Sequence, residues 1–95
     1  MVFLIKRTKD FEKSFRKISR SGLSLKAREK LEFVIDSLAC ERKLDIKYKN
    51  HRLKGELKDY CECHIVPDLL LIYKIEEEEN VLILVDIGSH NQLFG

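Results

Sequence analysis

The spacing of apolar residues changes near residue 50, and this change constrains the fold more than any other feature of the chain. Before it, apolar residues recur at helical spacing, as Phe11, Phe15 and Ile18 do. After it, they alternate with polar residues or form short continuous runs, which is typical of strands. The 95 residues therefore predict helices first and a sheet afterwards, in a single α+β domain over residues 1–95.

Capping residues predict where the helices lie. Thr8 and Ser24 are good N-cap residues, and they predict two helices that end near Arg20 and Cys40. Because only Ser21-Gly22 and a few further residues separate them, the helices should form a helical hairpin on one face of the sheet. An N-terminal strand is expected at residues 2–6. Four later strands, which form an antiparallel β-meander, are expected at residues 51–53, 60–66, 69–75 and 81–87, and a tail follows at residues 89–94.

The net charge of +2 is distributed unevenly. Residues 1–30 carry ten Lys and Arg against three Asp and Glu, a balance of +7, whereas residues 61–95 carry one against seven, a balance of −6. Lys13, Arg16 and Lys17 lie on the polar faces of the first predicted helix. The asymmetry favours a polyanion as partner for the first third of the chain. The alternative is a basic helix face that only meets solvent.

Composition excludes several classes of protein. The opening residues turn basic at once, unlike a signal peptide, and no apolar run approaches the ~20 residues of a membrane span. The three cysteines are an odd number, so a closed disulfide framework is not expected. We therefore expect a protein of the reducing cytoplasm, with no contact to a membrane.

All three histidines lie in the second half, next to predicted strand edges or turns. Alternation places Tyr60, Glu62 and His64 on one face of their strand, and Asp68 follows in the next turn. An imidazole beside a carboxylate suits general acid–base chemistry near neutral pH. The chain has neither a nucleophile elbow nor a glycine-rich phosphate loop, which argues against a covalent hydrolase or a nucleotide-triphosphate enzyme.

Cleavage of RNA by its own 2′-hydroxyl needs only an acid, a base and positive charge, and it fits this set of residues. In the competing interpretation the histidines are structural. A metal site is the other alternative, since Cys61-Glu62-Cys63-His64 offers ligands. In a strand, however, the two cysteines share one face and His64 takes the other. No metal and no cofactor is therefore expected, and the cysteines are interpreted as small buried hydrophobes.

The spacing of the motifs in the second half resembles that of a known family. The strings are His51-x-Leu53-Lys54-Gly55, then Tyr60-x-Glu62-x-His64-Ile65-x-Pro67-Asp68, then Gly88-Ser89-His90-x-x-Leu93-Phe94. Over residues 46–95 they are similar to the YafQ branch of the RelE/ParE toxin superfamily. The first half of the chain agrees with this family only in the order of its predicted elements. The motifs and this order together imply a RelE-like fold.

The resemblance implies the toxin of a bacterial type II toxin–antitoxin system, an mRNA interferase that cuts messenger RNA on the ribosome. Its protein partner would be a cognate antitoxin. The basic first helix would face ribosomal RNA or that antitoxin. The family's acid–base residues, an acidic position and an aromatic near the C-terminus map to His51, His64, Asp68, His90, Glu62 and Phe94.

Two positions depart from the family pattern. Cys61 and Asp86 stand where the family usually has arginines that would contact phosphate. Arg52, Lys54 and Lys58 could supply the missing charge from a neighbouring strand edge. The departures keep two alternatives open: a catalytically weak module that binds the antitoxin and regulates transcription, and a plain RNA-binding domain.

Overall fold

The computed structural model describes residues 2–95, which form three helices and a five-stranded sheet. Two 3₁₀ turns, at Ile46–Tyr48 and Gly55–Leu57, lie in the connections on either side of β2. The elements, in chain order, are β1 (Leu4–Arg7), α1 (Lys9–Arg20), α2 (Leu25–Ala39), β2 (His51–Arg52), β3 (Cys61–Val66), β4 (Leu69–Glu76), β5 (Val81–Gly88) and α3 (His90–Phe94).

The predicted caps begin both long helices. The Thr8 hydroxyl accepts a hydrogen bond from the Phe11 N–H at 3.0 Å, and the Ser24 hydroxyl accepts one from Ala27 at 3.1 Å. Each cap supplies an acceptor for a backbone donor that the helix itself leaves unpaired. The Thr8 hydroxyl also donates to the Val85 carbonyl at 2.6 Å, so the start of α1 is fixed to β5.

The strand order is β1-β5-β4-β3-β2. The pairs from β2 to β5 are antiparallel, which confirms the predicted meander, and β1 joins the edge of β5 in parallel. The hairpin between β3 and β4 turns at Pro67-Asp68. Because successive residues of a strand point to opposite faces, this topology gives the sheet one face for the core and one for other uses.

The core lies between the helices and one face of the sheet. Phe11 of α1 and the α2 residues Leu31, Val34 and Leu38 pack there. The sheet contributes Cys63, Ile65, Leu69, Leu71, Tyr73, Leu82, Leu84 and Ile87. The predicted helical hairpin on one face is thereby confirmed. Along residues 2–95 no helix combines the length and apolar character that a membrane crossing requires.

The structure corrects the expected tail. Ser89 caps a short helix, His90–Phe94, through a capping box in which the hydroxyl accepts from the Gln92 N–H and the Gln92 side chain accepts from the Ser89 N–H. The sequence does carry this signal, since Ser is followed by Gln three positions later. The helix was not predicted because its five residues are too short to show helical periodicity.

Candidate acid–base site

The sheet face opposite the helical core carries a cluster of three predicted site residues. His51 of β2 lies directly opposite Glu62 of β3, and His64 is two residues further along β3. Residues opposite each other in antiparallel strands have Cβ atoms about 5 Å apart, and i and i+2 share a face. The sheet register therefore brings His51, Glu62 and His64 together, as the sequence predicted for Glu62 and His64.

Hydrogen bonds fix which nitrogen of each imidazole carries the proton. Nδ1 of His51 lies 2.6 Å from the Lys49 carbonyl oxygen, and Nε2 of His64 lies 3.0 Å from Glu62 Oε1. A carbonyl and a carboxylate only accept, so both nitrogens donate. In the neutral rings, Nε2 of His51 and Nδ1 of His64 are then the basic nitrogens. The site can thus offer one basic nitrogen from each ring to a substrate.

Burial distinguishes the members of this cluster. Glu62 is 6% exposed, whereas His64 is half-buried and His51 is exposed. A buried carboxylate needs a polar partner, and His64 is the one it has. We therefore assign Glu62 the role of holding the His64 ring in place.

His90 approaches from the other side of the same sheet face. His64 pairs with Leu70 of β4, and Leu70 pairs with Gly88 of β5, two residues before His90. Two steps between strands span about 10 Å. The His90 ring, at the start of α3, lies 5.2 Å from the ring of Phe94. His90 thus follows the strand that lies two strands away from His64.

Phe94 also borders an apolar cavity of about 240 Å³. Tyr60, which the sequence analysis did not select, lines it together with Ile72 and Leu93. The sequence could have identified Tyr60, because the alternation of β3 and the residue before it places Tyr60 on the same face as Glu62 and His64. Flat aromatic rings beside an apolar cavity suit an unstacked base.

The other predicted residues lie around this centre. Asp68 is exposed in the β3–β4 turn, and among residues 2–95 its side chain has no hydrogen bond or ion pair. Arg52 and Lys54 are exposed on and after β2. The exposed basic face of α1 reaches the site through Lys17, which lines a small cavity with Asp86 and Gln92. Lys13 and Arg16 continue the same basic surface along α1.

The two residues that stand in place of the family's arginines make structural contacts in this protein. Cys61 packs against the helical side of the sheet. The Asp86 carboxylate accepts hydrogen bonds from the Ser14 hydroxyl at 2.7 Å and from the Ile87 N–H at 2.8 Å, which fastens α1 to β5. Lys74 is bound to Glu76 at 2.9 Å, and this hydrogen bond raises the pKa of the lysine.

The structure does not assemble the metal ligands that the cysteine-rich string offers. Cys63 is fully buried, and burial raises the pKa of its thiol to about 12, so it stays protonated near neutral pH. Metal binding requires a thiolate. Within residues 2–95 no three His, Cys, Asp or Glu side chains lie close enough together to hold a metal ion.

Comparison with known proteins agrees with the fold and the motifs. The family model described as "Bacterial toxin of type II toxin-antitoxin system, YafQ" matches residues 3–95. The mRNA interferase toxin YafQ of Escherichia coli strain K12 is 42% identical over 48 residues. The matched segment covers 50% of this chain and 50% of that protein, so this match spans about half the length of the curated relative.

Solved structures match over almost the whole chain. A metal-bound toxin from Helicobacter pylori superposes with a TM-score of 0.87 at 46% sequence identity, covering 99% of this chain and 100% of that one. The E. coli DinJ–YafQ complex contains a chain with a TM-score of 0.84 at 28% identity, covering 98% of this chain and 99% of that one. The similarity therefore extends to the N-terminal helices, where the sequence motifs are absent.

Proposed function

Since the chain belongs to the YafQ family of bacterial toxins of type II toxin–antitoxin systems, we propose that it is an mRNA interferase. It cleaves messenger RNA by acid–base catalysis on the sheet face that carries the histidines. The observation that carries the proposal is the placement of His51, Glu62 and His64 on one side and of His90 with Phe94 on the other. An mRNA interferase is also what the similar E. coli protein is named.

The proposed reaction uses the RNA as its own nucleophile. One imidazole takes the proton of the 2′-hydroxyl, whose oxygen attacks the adjacent phosphorus. A second group donates a proton to the departing 5′-oxygen. The products are a 2′,3′-cyclic phosphate and a 5′-hydroxyl end. Asp68 sits in the exposed turn beyond His64 and adds negative charge at that end of the site, and Phe94 stacks on a base.

The proposed partners follow from the family and from charge. An E. coli DinJ–YafQ structure is that of a toxin–antitoxin complex, and we assign this chain a cognate antitoxin as well. The substrate is messenger RNA on the ribosome, so the protein acts in the cytoplasm. The basic face of α1 meets one of these partners, because a cluster of exposed Lys and Arg attracts polyanions.

We also propose that cleavage needs no metal. The chemistry requires only proton transfer and positive charge, and no cluster of three ligands exists within residues 2–95. Cleavage of an RNA oligonucleotide should survive EDTA. A requirement for added divalent metal at equal protein stability would contradict the proposal, and the metal-bound H. pylori toxin makes this a necessary control.

The decisive experiment compares the intact chain with His90→Ala after induction in bacteria. The intact chain should arrest growth and yield RNA fragments with 5′-hydroxyl ends, and His90→Ala should do neither. In single-turnover cleavage the variant should lose roughly 10²–10⁴-fold, the usual worth of a positioned acid or base. An unchanged rate in His90→Ala, or in the double variant with His64→Ala, would rule out the acid–base assignment.

A second candidate is a catalytically weak module that binds the antitoxin and regulates transcription. The specific observation in its favour is the positive charge missing from positions 61 and 86, with Lys74 bound to Glu76. This candidate predicts tight antitoxin binding without growth arrest. RNA fragments that accumulate only with intact histidines would decide against it.

A further inference from the structure

A second groove, distinct from the apolar cavity at Phe94, lies at the end of β3. It has a volume of about 370 Å³ and lies where the end of β3 meets α2 and the Ile46–Tyr48 turn. Lys30, Lys47 and Lys49 line it together with Tyr48 and His64, and none of its lining residues is acidic. The groove is therefore a concentration of positive charge beside one of the proposed catalytic histidines.

The lysines come from separate parts of the chain. Lys30 is half-buried on α2, whereas Lys47 and Lys49 are exposed on and after the 3₁₀ turn. Like charges repel, so the convergence of three lysines in one groove is unfavourable in itself, although the Lys47 ammonium also lies 5.3 Å from the centre of the Tyr48 ring. An anionic ligand would favour it, since the three ammonium groups would then share a counter-charge.

The turn that carries two of these lysines is anchored to the core. Tyr48 is 5% exposed, and its ring lies 6.4 Å from the ring of Phe33 on α2. The Asp45 carboxylate accepts a hydrogen bond from the Lys47 N–H at 2.9 Å. One residue after Lys49, the Asn50 side chain accepts from the Tyr73 hydroxyl. The lysines therefore project from a fixed turn.

The same turn also orients the acid–base site. Lys49 adopts a left-handed conformation, with φ 47° and ψ 42°, which few residues other than glycine and asparagine favour. This conformation presents its carbonyl to Nδ1 of His51 at 2.6 Å. His64 lines the groove itself. The groove thus adjoins both histidines of the β2–β3 cluster.

We infer that the groove of Lys30, Lys47 and Lys49 binds a phosphodiester of single-stranded RNA next to the one that is cleaved. The inference rests on the proposed function, because it assigns the strand that His51 and His64 would cut. It supplies the positive charge that Cys61 and Asp86 do not. With the basic face of α1 beyond His90, it gives the RNA cationic contacts on both sides of the site.

The test measures binding of a short RNA oligonucleotide whose 2′-oxygens are methylated, which prevents cleavage. The double variant Lys47→Gln with Lys49→Gln is compared with the double variant Lys6→Gln with Lys43→Gln, which removes equal charge outside the groove. For each phosphate that a variant no longer neutralises, the plot of log affinity against log salt should become shallower by about 0.7. We expect this in the first variant and little change in the second.

Parallel measurements keep the outcomes distinct. Suppose that the intact chain cleaves RNA and that the two double variants bind RNA with the same affinity and the same salt slope as each other. The groove assignment is then wrong, and the proposed function stands. If intact chain binds RNA through the groove yet never cleaves it, the proposed function fails, and the groove remains an RNA-binding site with no cleaved phosphodiester beside it. Loss of antitoxin binding instead of RNA binding would assign the groove to the antitoxin and overturn the inference. If the first double variant has a lowered melting temperature, the single variants Lys30→Gln and Lys47→Gln replace it in the same binding measurements.

Discussion

At the scale of single residues, the site depends on a buried carboxylate that holds one imidazole. Glu62 is nearly inaccessible and contacts His64 at 3.0 Å. Burial of a charged group is costly without a partner, so the pair is a unit in which either member affects the other. We therefore propose that Glu62 positions His64.

Replacing Glu62 with Gln should lower the rate of cleavage more than it lowers stability. The amide keeps the shape but loses the charge, and a hydrogen bond to a charged group contributes about 1.5 kcal/mol. We expect roughly tenfold slower single-turnover cleavage. The pH–rate profile should change shape, whereas the melting temperature should move by only a few degrees. A normal rate and profile would show that His64 needs no orienting partner.

Two buried groups predict loss of stability in alkali. Burial raises the pKa of Cys63 from its ordinary 9.0 to about 12 and also raises that of Tyr73. Above pH 9 the unfolded chain releases the thiol proton while the folded chain retains it. Stability should therefore fall as pH rises from 9 to 12 through the thiol, by up to about 1.4 kcal/mol per pH unit. Tyr73, whose pKa is raised from its ordinary 10.0, adds to this decline only above pH 10.

Chemical denaturation at several pH values checks this. Cys63→Ala removes one of the two groups, and its stability should decline less steeply between pH 9 and 12 than that of the intact protein. An equal slope in both proteins would mean that the thiol also ionises in the folded state.

At the scale of elements, the placement of α3 decides where His90 and Phe94 lie. Gly88 precedes the helix, and a Cβ there would come within 2.9 Å of Gln92 Oε1 and 3.3 Å of Gln92 Cβ. The Gln92 side chain belongs to the capping box. A methyl group at position 88 would thus push on the helix that carries the proposed catalytic residues.

Gly88→Ala should therefore reduce cleavage several-fold, because the Gln92 side chain must shift and its capping hydrogen bond is disturbed, and rates are sensitive to the placement of reacting groups. The control is Gly22→Ala, at a φ of +106° with no atom within 4 Å. It should lower stability by about 1 kcal/mol through backbone strain and leave the rate per folded molecule intact. Equal rates in the two variants would show that α3 adjusts without consequence.

The elements also show where sequence reasoning succeeds. Both long helices and the meander were predicted, since caps, apolar stripes and alternation are local signals. The 3₁₀ turn at Ile46–Tyr48 and helix α3 were missed, because each is shorter than the period that would reveal it. Convergence of Lys30 with Lys47 and Lys49 depends on how α2 packs against β3, which no local pattern encodes.

At the scale of the whole molecule, charge is segregated. The basic face of α1 is on the surface and the acidic turn at residues 77–79 is exposed as well.

The grouping of His51, Glu62 and His64 was predictable in part, because alternation gives the face of β3. The contribution of His51 required the register between β2 and β3, which is a property of the assembled sheet.

Reversing Lys13, Arg16 and Lys17 to Glu should weaken binding to ribosomes or RNA and make it less dependent on salt, since fewer counterions are released. Reversing Lys6, Arg42 and Lys43 changes the net charge equally on other surfaces and serves as the control. Binding measured from about 50 to 200 mM salt distinguishes the two. If both triple variants behave alike, only the net charge matters and the α1 face does not touch the RNA.

The parallel pairing of β1 with β5 determines when the sheet can be completed during synthesis of the chain. β1 pairs with β5, and just after β1 the Thr8 hydroxyl bonds to a carbonyl 77 residues away, so β1 has no strand to pair with until β5 exists. Contacts between distant parts of a chain form late, and synthesis proceeds at about 5–20 residues per second. Until residues 81–90 have been added, the nascent protein lacks His90 and the complete β5 strand that joins β1 to the sheet. The site that we propose for cleavage is therefore incomplete until translation has passed His90 and Phe94.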